Sequence, residues 1–97
     1  MENYYAYFEA KNGYYEIKFT EDQIFKAYHQ GDCTRDATEV SKELELNIPR
    51  SELITGLKYY GAWEAEELEA MSTEELESKV TWLLAAQLFD EIETEQY

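Results

Sequence analysis

Apolar and polar residues alternate with a period of two over two runs, YYAYFEA and YYEIKF, that flank Asn12-Gly13 within residues 4–19. Asn-Gly is the strongest short hairpin signal, because a type I′ turn needs positive φ at both central positions. A turn centred there sets Phe8 opposite Ile17, Ala10 opposite Tyr15 and Ala6 opposite Phe19 on the face to be buried. The other face then carries Tyr5, Tyr7, Glu9, Glu16 and Lys18, with Glu9 directly opposite Glu16. Two strands alone are marginal, so helices must cover the apolar face or a further strand must extend the sheet.

From Thr20 the period changes to that of a helix. Thr20-Glu21-Asp22-Gln23 reads as a capping box, with Ile24, Phe25, Ala27 and Tyr28 pointing inward and Gly31 as the stop. His29 beside that stop suits the negative end of the helix dipole. A second helix is expected from about Asp36, with Ala37, Val40 and Leu44 at helical spacing. Leu46 and Ile48 lead into a tight Asn47-Ile48-Pro49 turn. Pro49 then opens a third helix as its first residue, where a missing amide is harmless. Leu53, Ile54, Leu57 and Tyr60 line that helix and Gly61 closes it. Gly56 inside it costs about 1 kcal/mol against Ala, which points to a close neighbour. A short helix over AWEAEELEAM follows. Ser72-Thr73-Glu74-Glu75 is another capping box, and from it runs a long helix with Leu76, Val80, Leu83, Leu84, Leu88 and Ile92 on one side. Trp82 and Phe89 widen that stripe, and only the tail from about Glu93 is expected to fray.

These elements predict an α+β fold: an N-terminal β-hairpin packed on a small bundle of four to five helices, with a helix-turn-helix-like pair among them. The 97 residues are read as a single domain, 1–97, made of the hairpin (4–19), helices with the helix-turn-helix-like pair (20–61) and acidic helices (62–97). No basic leader followed by an apolar run opens the chain and no stretch approaches a membrane span, so the expected location is the cytoplasm.

Charge changes the picture most. Acids outnumber bases by 22 to 8, for a formal charge of −14. Residues 1–30 hold five acids and three bases, residues 31–60 six and four, and residues 61–97 eleven and one. Binding to a phosphate backbone works by Lys and Arg releasing counterions, so direct nucleic-acid contact is disfavoured, as is an anionic membrane. A basic protein surface is the natural partner. In the last third Lys79 stands alone among eleven acids, whereas an ordinary solvated face mixes signs for i,i+4 pairing. Asp90, Glu91, Glu93 and Glu95 crowd a helix C-terminus, where the dipole penalises them by some tenths of a kcal/mol each.

No catalytic set emerges, and the protein is expected not to be an enzyme. Cys33 is the only cysteine and His29 the only histidine, with no third group to organise them. Asp32 to Glu43 places acids at positions 1, 5 and 12 of a calcium-loop template. Ala37 stands where that template needs glycine for its bend, so Asp36 reads better as a helix cap. No cofactor or metal is expected.

The stretch from Asp36 to Gly61 resembles the helix-turn-helix of small regulators and resolvases. Ala37, Val40, Leu44, Ile48, Leu53 and Leu57 fall where that motif packs its two helices. The resemblance implies base reading by the start of the second helix, here Arg50-Ser51-Glu52, with Lys58 the only other base. A transcriptional regulator, or an assembly adaptor using the motif for protein contacts through Tyr59, Tyr60 and Trp63, is therefore the alternative reading. In size and charge the chain looks like the compact acidic phage inhibitors of host nucleases, the anti-CRISPR and antirestriction proteins. That likeness implies a DNA mimic, acting in the host cytoplasm if phage-encoded. Glu64, Glu66, Glu67, Glu69, Glu74, Glu75, Glu77, Asp90, Glu91, Glu93 and Glu95 would engage Lys and Arg of a basic nucleic-acid-binding protein. Exposed Tyr5, Tyr7 and Tyr59 would add contact area.

Overall fold

The described residues fold as an antiparallel hairpin followed by five helices, an α+β arrangement. The structure, a computed structural model, describes residues 3–11, 13–28 and 34–95, and the side chains among them except at 34–36 and 93–95. Strands β1 (Asn3–Ala10) and β2 (Gly13–Thr20) are followed by helices α1 (Glu21–Ala27), α2 (Thr34–Leu44), α3 (Arg50–Tyr59), α4 (Ala65–Ala70) and α5 (Thr73–Glu95). Asn12, His29, Gly31, Asp32 and Cys33 lie outside the described residues.

The hairpin buries the expected face: Ala6, Phe8, Ala10, Ile17 and Phe19 are all in the core. Its register differs from the expected one. Phe8 lies opposite Tyr15, Ala6 opposite Ile17 and Ala10 opposite Gly13, so Gly13 belongs to β2 rather than to the connection. Gly13 opens β2 at φ 129°, a backbone conformation that side chains rarely tolerate. The slip is two residues. A strand's side chains repeat every two positions, so both faces survive it. The slip also separates the like charges: Glu9 faces Tyr14, and Glu16 faces Tyr7.

α5 is the spine, as its apolar stripe predicts. Leu76, Val80, Leu84, Ala85, Leu88 and Ile92 are buried, and α1, α2, α3 and β1 all pack on it. Trp82 and Phe89 meet α1 through Tyr28, at ring separations of 6.3 and 4.8 Å, and Phe25 meets Phe89 edge-on at 5.5 Å. The capping box at Thr20 is complete: its hydroxyl accepts from the Gln23 amide, and the Thr20 amide donates to Gln23 Oε1. α1 nevertheless ends at Ala27, before Gly31, because Tyr28 turns extended to place its ring on α5. Ser72 caps α5 by accepting from the Glu75 amide at 3.1 Å.

α2 and α3 stand in helix-turn-helix order, and Ala37, Val40, Ile48, Leu53 and Leu57 are buried as the pattern requires. α2 begins at Thr34, slightly ahead of Asp36, and Pro49 is the N-cap of α3 rather than its first residue. Glu45, at φ 51°, ends α2, and residues 46–49 then run without helix to α3. α2 packs mainly on α5 and α1, and α3 on α5 and β1, rather than on each other. The calcium-loop template fails here as well, because its span from Thr34 to Glu43 is helix. Gly56 has the close neighbour its cost implied. A Cβ there would stand 2.6 Å from Phe8 Cε2 and 2.8 Å from the Glu9 carbonyl oxygen.

Candidate functional site: an acidic corner on α4 and α5

α4 is a single short turn-and-a-half held down by one residue. Leu68 is fully buried, while Glu64, Glu66, Glu67 and Glu69 are all exposed around it. Glu67 Oε1 accepts from the Glu64 amide at 3.4 Å, tying the start of the helix. Met71 and Ser72 turn the chain into α5, whose first turn exposes Glu74 and Glu75. Two helices therefore meet at a corner with six solvated carboxylates.

Arg50 fixes that corner. Its guanidinium donates to the Glu69 carbonyl at 2.9 Å, the Met71 carbonyl at 2.6 Å and Thr73 Oγ1 at 3.3 Å. The first two are carbonyls that the end of α4 leaves without helical partners. The third ties the same group to the first residue of α5. The base expected to read DNA at the start of α3 is thus a clasp beneath the carboxylates. Its neighbour Glu52 is buried and accepts a hydrogen bond from the Tyr15 hydroxyl, with Oε1 unpartnered among the described residues. Of the residues expected to read bases, Ser51 and Lys58 remain exposed.

Opposite charge is scarce at the corner. Lys42 approaches Glu74 at 3.7 Å, with both side chains more than half exposed. Lys79 lies 6.0 Å over the Trp63 ring. Among the described residues no ion pair reaches Glu64, Glu66, Glu67, Glu69 or Glu75. Glu77, next along α5, is only half-exposed. Burial pushes its carboxyl above the usual value, and neighbouring Glu74 pushes it the same way.

The remaining expected residues are elsewhere. Asp90 and Glu91 are exposed near the far end of α5, about 25 Å from Glu74 at the rise of a helix. Glu93 and Glu95 belong to the same last turns, with side chains outside the described residues. No acid lies between Glu77 and Asp90. The carboxylates accordingly form a dense corner and a separate tip, not one row along α5. Glu66, Glu67, Glu74 and Glu75 occupy first turns, where the helix dipole favours them. Glu69 and the tip run against the dipole, and α5 has no base in its last turn.

Tyr59 is 68 % exposed at the end of α3, shortly before Glu64. Tyr5 and Tyr7 stand on the outer face of the hairpin, half exposed, together with Tyr14 at 69 %. Tyr14 was not singled out from the sequence, although its phase with Glu16 and Lys18 places it on that face. The Tyr7 phenol is pushed above its ordinary pKa by the Glu16 carboxylate opposite it, through charge and then through hydrogen bonding.

No protein-family model, curated protein or solved structure matches the chain. Among the described residues no group of His, Cys, Asp and Glu is placed to hold a metal ion. None of the helices described is long and apolar enough to cross a membrane.

Proposed function

We propose that this protein is a non-enzymatic, acidic binding protein that occupies the nucleic-acid-binding surface of a basic target, acting as a DNA mimic of the antirestriction or anti-CRISPR kind. The observation that carries the reading is the corner itself. Glu64, Glu66, Glu67 and Glu69 surround a single buried anchor, Leu68, and stand in solvent without ion-pair partners among the described residues. Carboxylates three or four positions apart on a helix lie about 5–6 Å from one another, close to the spacing of phosphates along a strand. Glu66 and Glu69, three positions apart on α4, offer that spacing to lysines and arginines that otherwise hold a nucleic-acid backbone.

The mechanism is competitive. Long-range attraction between a chain of charge −14 and a basic groove makes association fast and steeply salt-dependent. Tyr59, exposed at the end of α3 five residues before Glu64, supplies amphipathic area for the close contact, as tyrosine does at interface centres. The helix-turn-helix alternative loses its main contact, since Arg50 is held by α4 and α5. A mobility-shift assay at low salt tests the choice. The protein alone gives no complex with duplex DNA, and a reproducible shift would contradict the proposal.

A further inference from the structure

A second recognition surface lies on the opposite kind of element, the open edge of the hairpin. Among the described residues the sheet has two strands, so β2 has a hydrogen-bonded neighbour on one side only. Antiparallel pairs alternate between those that exchange hydrogen bonds and those whose N–H and C=O point away. Thr20 fixes the phase. Its amide points out of the sheet to Gln23 Oε1, so Lys18 and Glu16, two and four residues earlier, also point their backbone groups outward. No partner reaches those groups among the described residues.

Beside this edge runs a groove of about 450 Å³, walled on one side by residues 15–20 of β2 and on the other by residues 43–48 at the end of α2. The second wall is itself non-helical from Leu46 onward. Ile17, Leu44, Leu46 and Ile48 give the groove its apolar floor, and all are buried or half-buried. At the Thr20 end the Gln23 side chain donates to Glu43 Oε1 at 3.2 Å and joins the two walls. The strand wall is about 17 Å long at about 3.4 Å per residue, the reach of a five- or six-residue strand.

Charge selects the occupant. Glu16, Glu43 and Glu45 line the groove against a single base, Lys18, with Glu43 also 3.7 Å from Lys26. A second copy of a chain of charge −14 is repelled from such a site. We infer that the groove receives an extended segment of a basic partner protein, added as a third strand to β2, with apolar side chains on the floor and Lys or Arg toward the rim. Strand addition of this kind draws affinity from main-chain hydrogen bonds and selectivity from alternate side chains. This surface is distinct from the α4–α5 corner and does not depend on it.

The test uses the whole chain and a defined probe, an acetylated hexapeptide of alternating valine and lysine, beside the same peptide methylated at every backbone nitrogen. Saturation with the first peptide slows amide exchange at Glu16 and Lys18 at least tenfold, and the methylated peptide, equal in charge, binds at least tenfold more weakly. Lys18→Pro removes an outward amide without touching the bonds to β1, and weakens the first peptide at least tenfold while far-UV circular dichroism stays unchanged. Should that variant not fold, the methylated peptide and the exchange data still decide. The inference is overturned if Glu16 and Lys18 exchange is unchanged at saturation, or if methylation leaves affinity within twofold. It is equally overturned if E64Q/E66Q/E67Q/E69Q weakens the peptide as much as Lys18→Pro does, which would place binding at the corner. Concentration-dependent self-association that protects Glu16 and Lys18 would assign the groove to a second copy and overturn the basic partner.

Discussion

Between α1 and α2 one base meets two carboxylates, whereas among the described residues at the corner of α4 and α5 five of six carboxylates meet none. Lys26 lies 3.1 Å from Glu39 and 3.7 Å from Glu43, so the outer faces of α1 and α2 carry acids met by a base. At the corner one lysine approaches one of six exposed carboxylates. Exposed ion pairs contribute at most about 1 kcal/mol each, so neither layout decides whether the chain folds. That is set by one continuous core running from Phe8 through Leu53 and Leu84 to Ile92. A core that holds the fold without help from the surface leaves the surface charge available for another purpose. The difference between the two regions is therefore informative about binding, where it would say little about stability.

Substitutions can break or sharpen this contrast. The largest effect is expected within the packed region. Helix propensity alone predicts that Gly56→Ala stabilises α3 by about 1 kcal/mol. With Phe8 and the Glu9 carbonyl against that position, overpacking instead destabilises by about 1–3 kcal/mol. Chemical denaturation gives the sign directly, and a stabilised variant would refute the close approach.

Arg50→Ala comes next, because it acts where the two regions join. Loss of three charge-assisted hydrogen bonds, from a group that is partly solvated, costs about 1–2 kcal/mol. Arg50→Lys recovers little, since a point charge cannot reach two carbonyls and a hydroxyl as the planar guanidinium does. Raised amide exchange around Met71 to Leu76 would show that the corner has loosened. Exchange unchanged from wild type would mean that Leu68 alone fixes α4.

The corner itself is expected to be almost indifferent. Replacing Glu64, Glu66, Glu67 and Glu69 together with glutamine changes unfolding free energy by less than about 1 kcal/mol, as surface changes do. A large loss would show that these carboxylates serve the fold after all. Glu77→Gln is the smallest effect and has a defined sign. The folded state holds the Glu77 proton more tightly than the unfolded chain does, because burial and Glu74 disfavour the charge. Ionising it therefore costs stability as pH rises through the ordinary carboxylate range and beyond, and the cost persists at neutral pH. The variant should be more stable than wild type at pH 7 by at most about 0.5 kcal/mol, and equal to it at pH 3. Thermal melts at the two pH values check this.

Much of the fold was legible because each segment states its own period and its own ends. Thr20 and Ser72 cap the helices expected of them, and the α5 stripe is buried as read. The hairpin register was not legible, because registers two residues apart keep the same residues on the same faces. The partners of α2 and α3 were not legible either. An amphipathic stripe shows which face is buried but not against what, and here α5 takes the place that each helix had for the other. The exposure of Glu64 to Glu75 followed from composition, whereas the split between corner and tip needed the geometry of α5. The Arg50 clasp was not legible for a physical reason: nothing local reveals that three acceptors from a turn some twenty residues later will reach its guanidinium. The groove beside β2 left no trace in the sequence, since backbone groups and a non-helical linker make it.

The central claim, that the corner takes the place of nucleic acid on a basic protein, is tested most directly by competitive elution. Immobilised wild-type protein and the E64Q/E66Q/E67Q/E69Q variant are loaded in parallel with one bacterial lysate cleared of nucleic acid, then eluted with duplex DNA at constant ionic strength. The account predicts that a nucleic-acid-binding protein is released from the wild type by the duplex and is absent from the variant. Retention by both proteins, or a captured partner that the duplex does not displace, would contradict it.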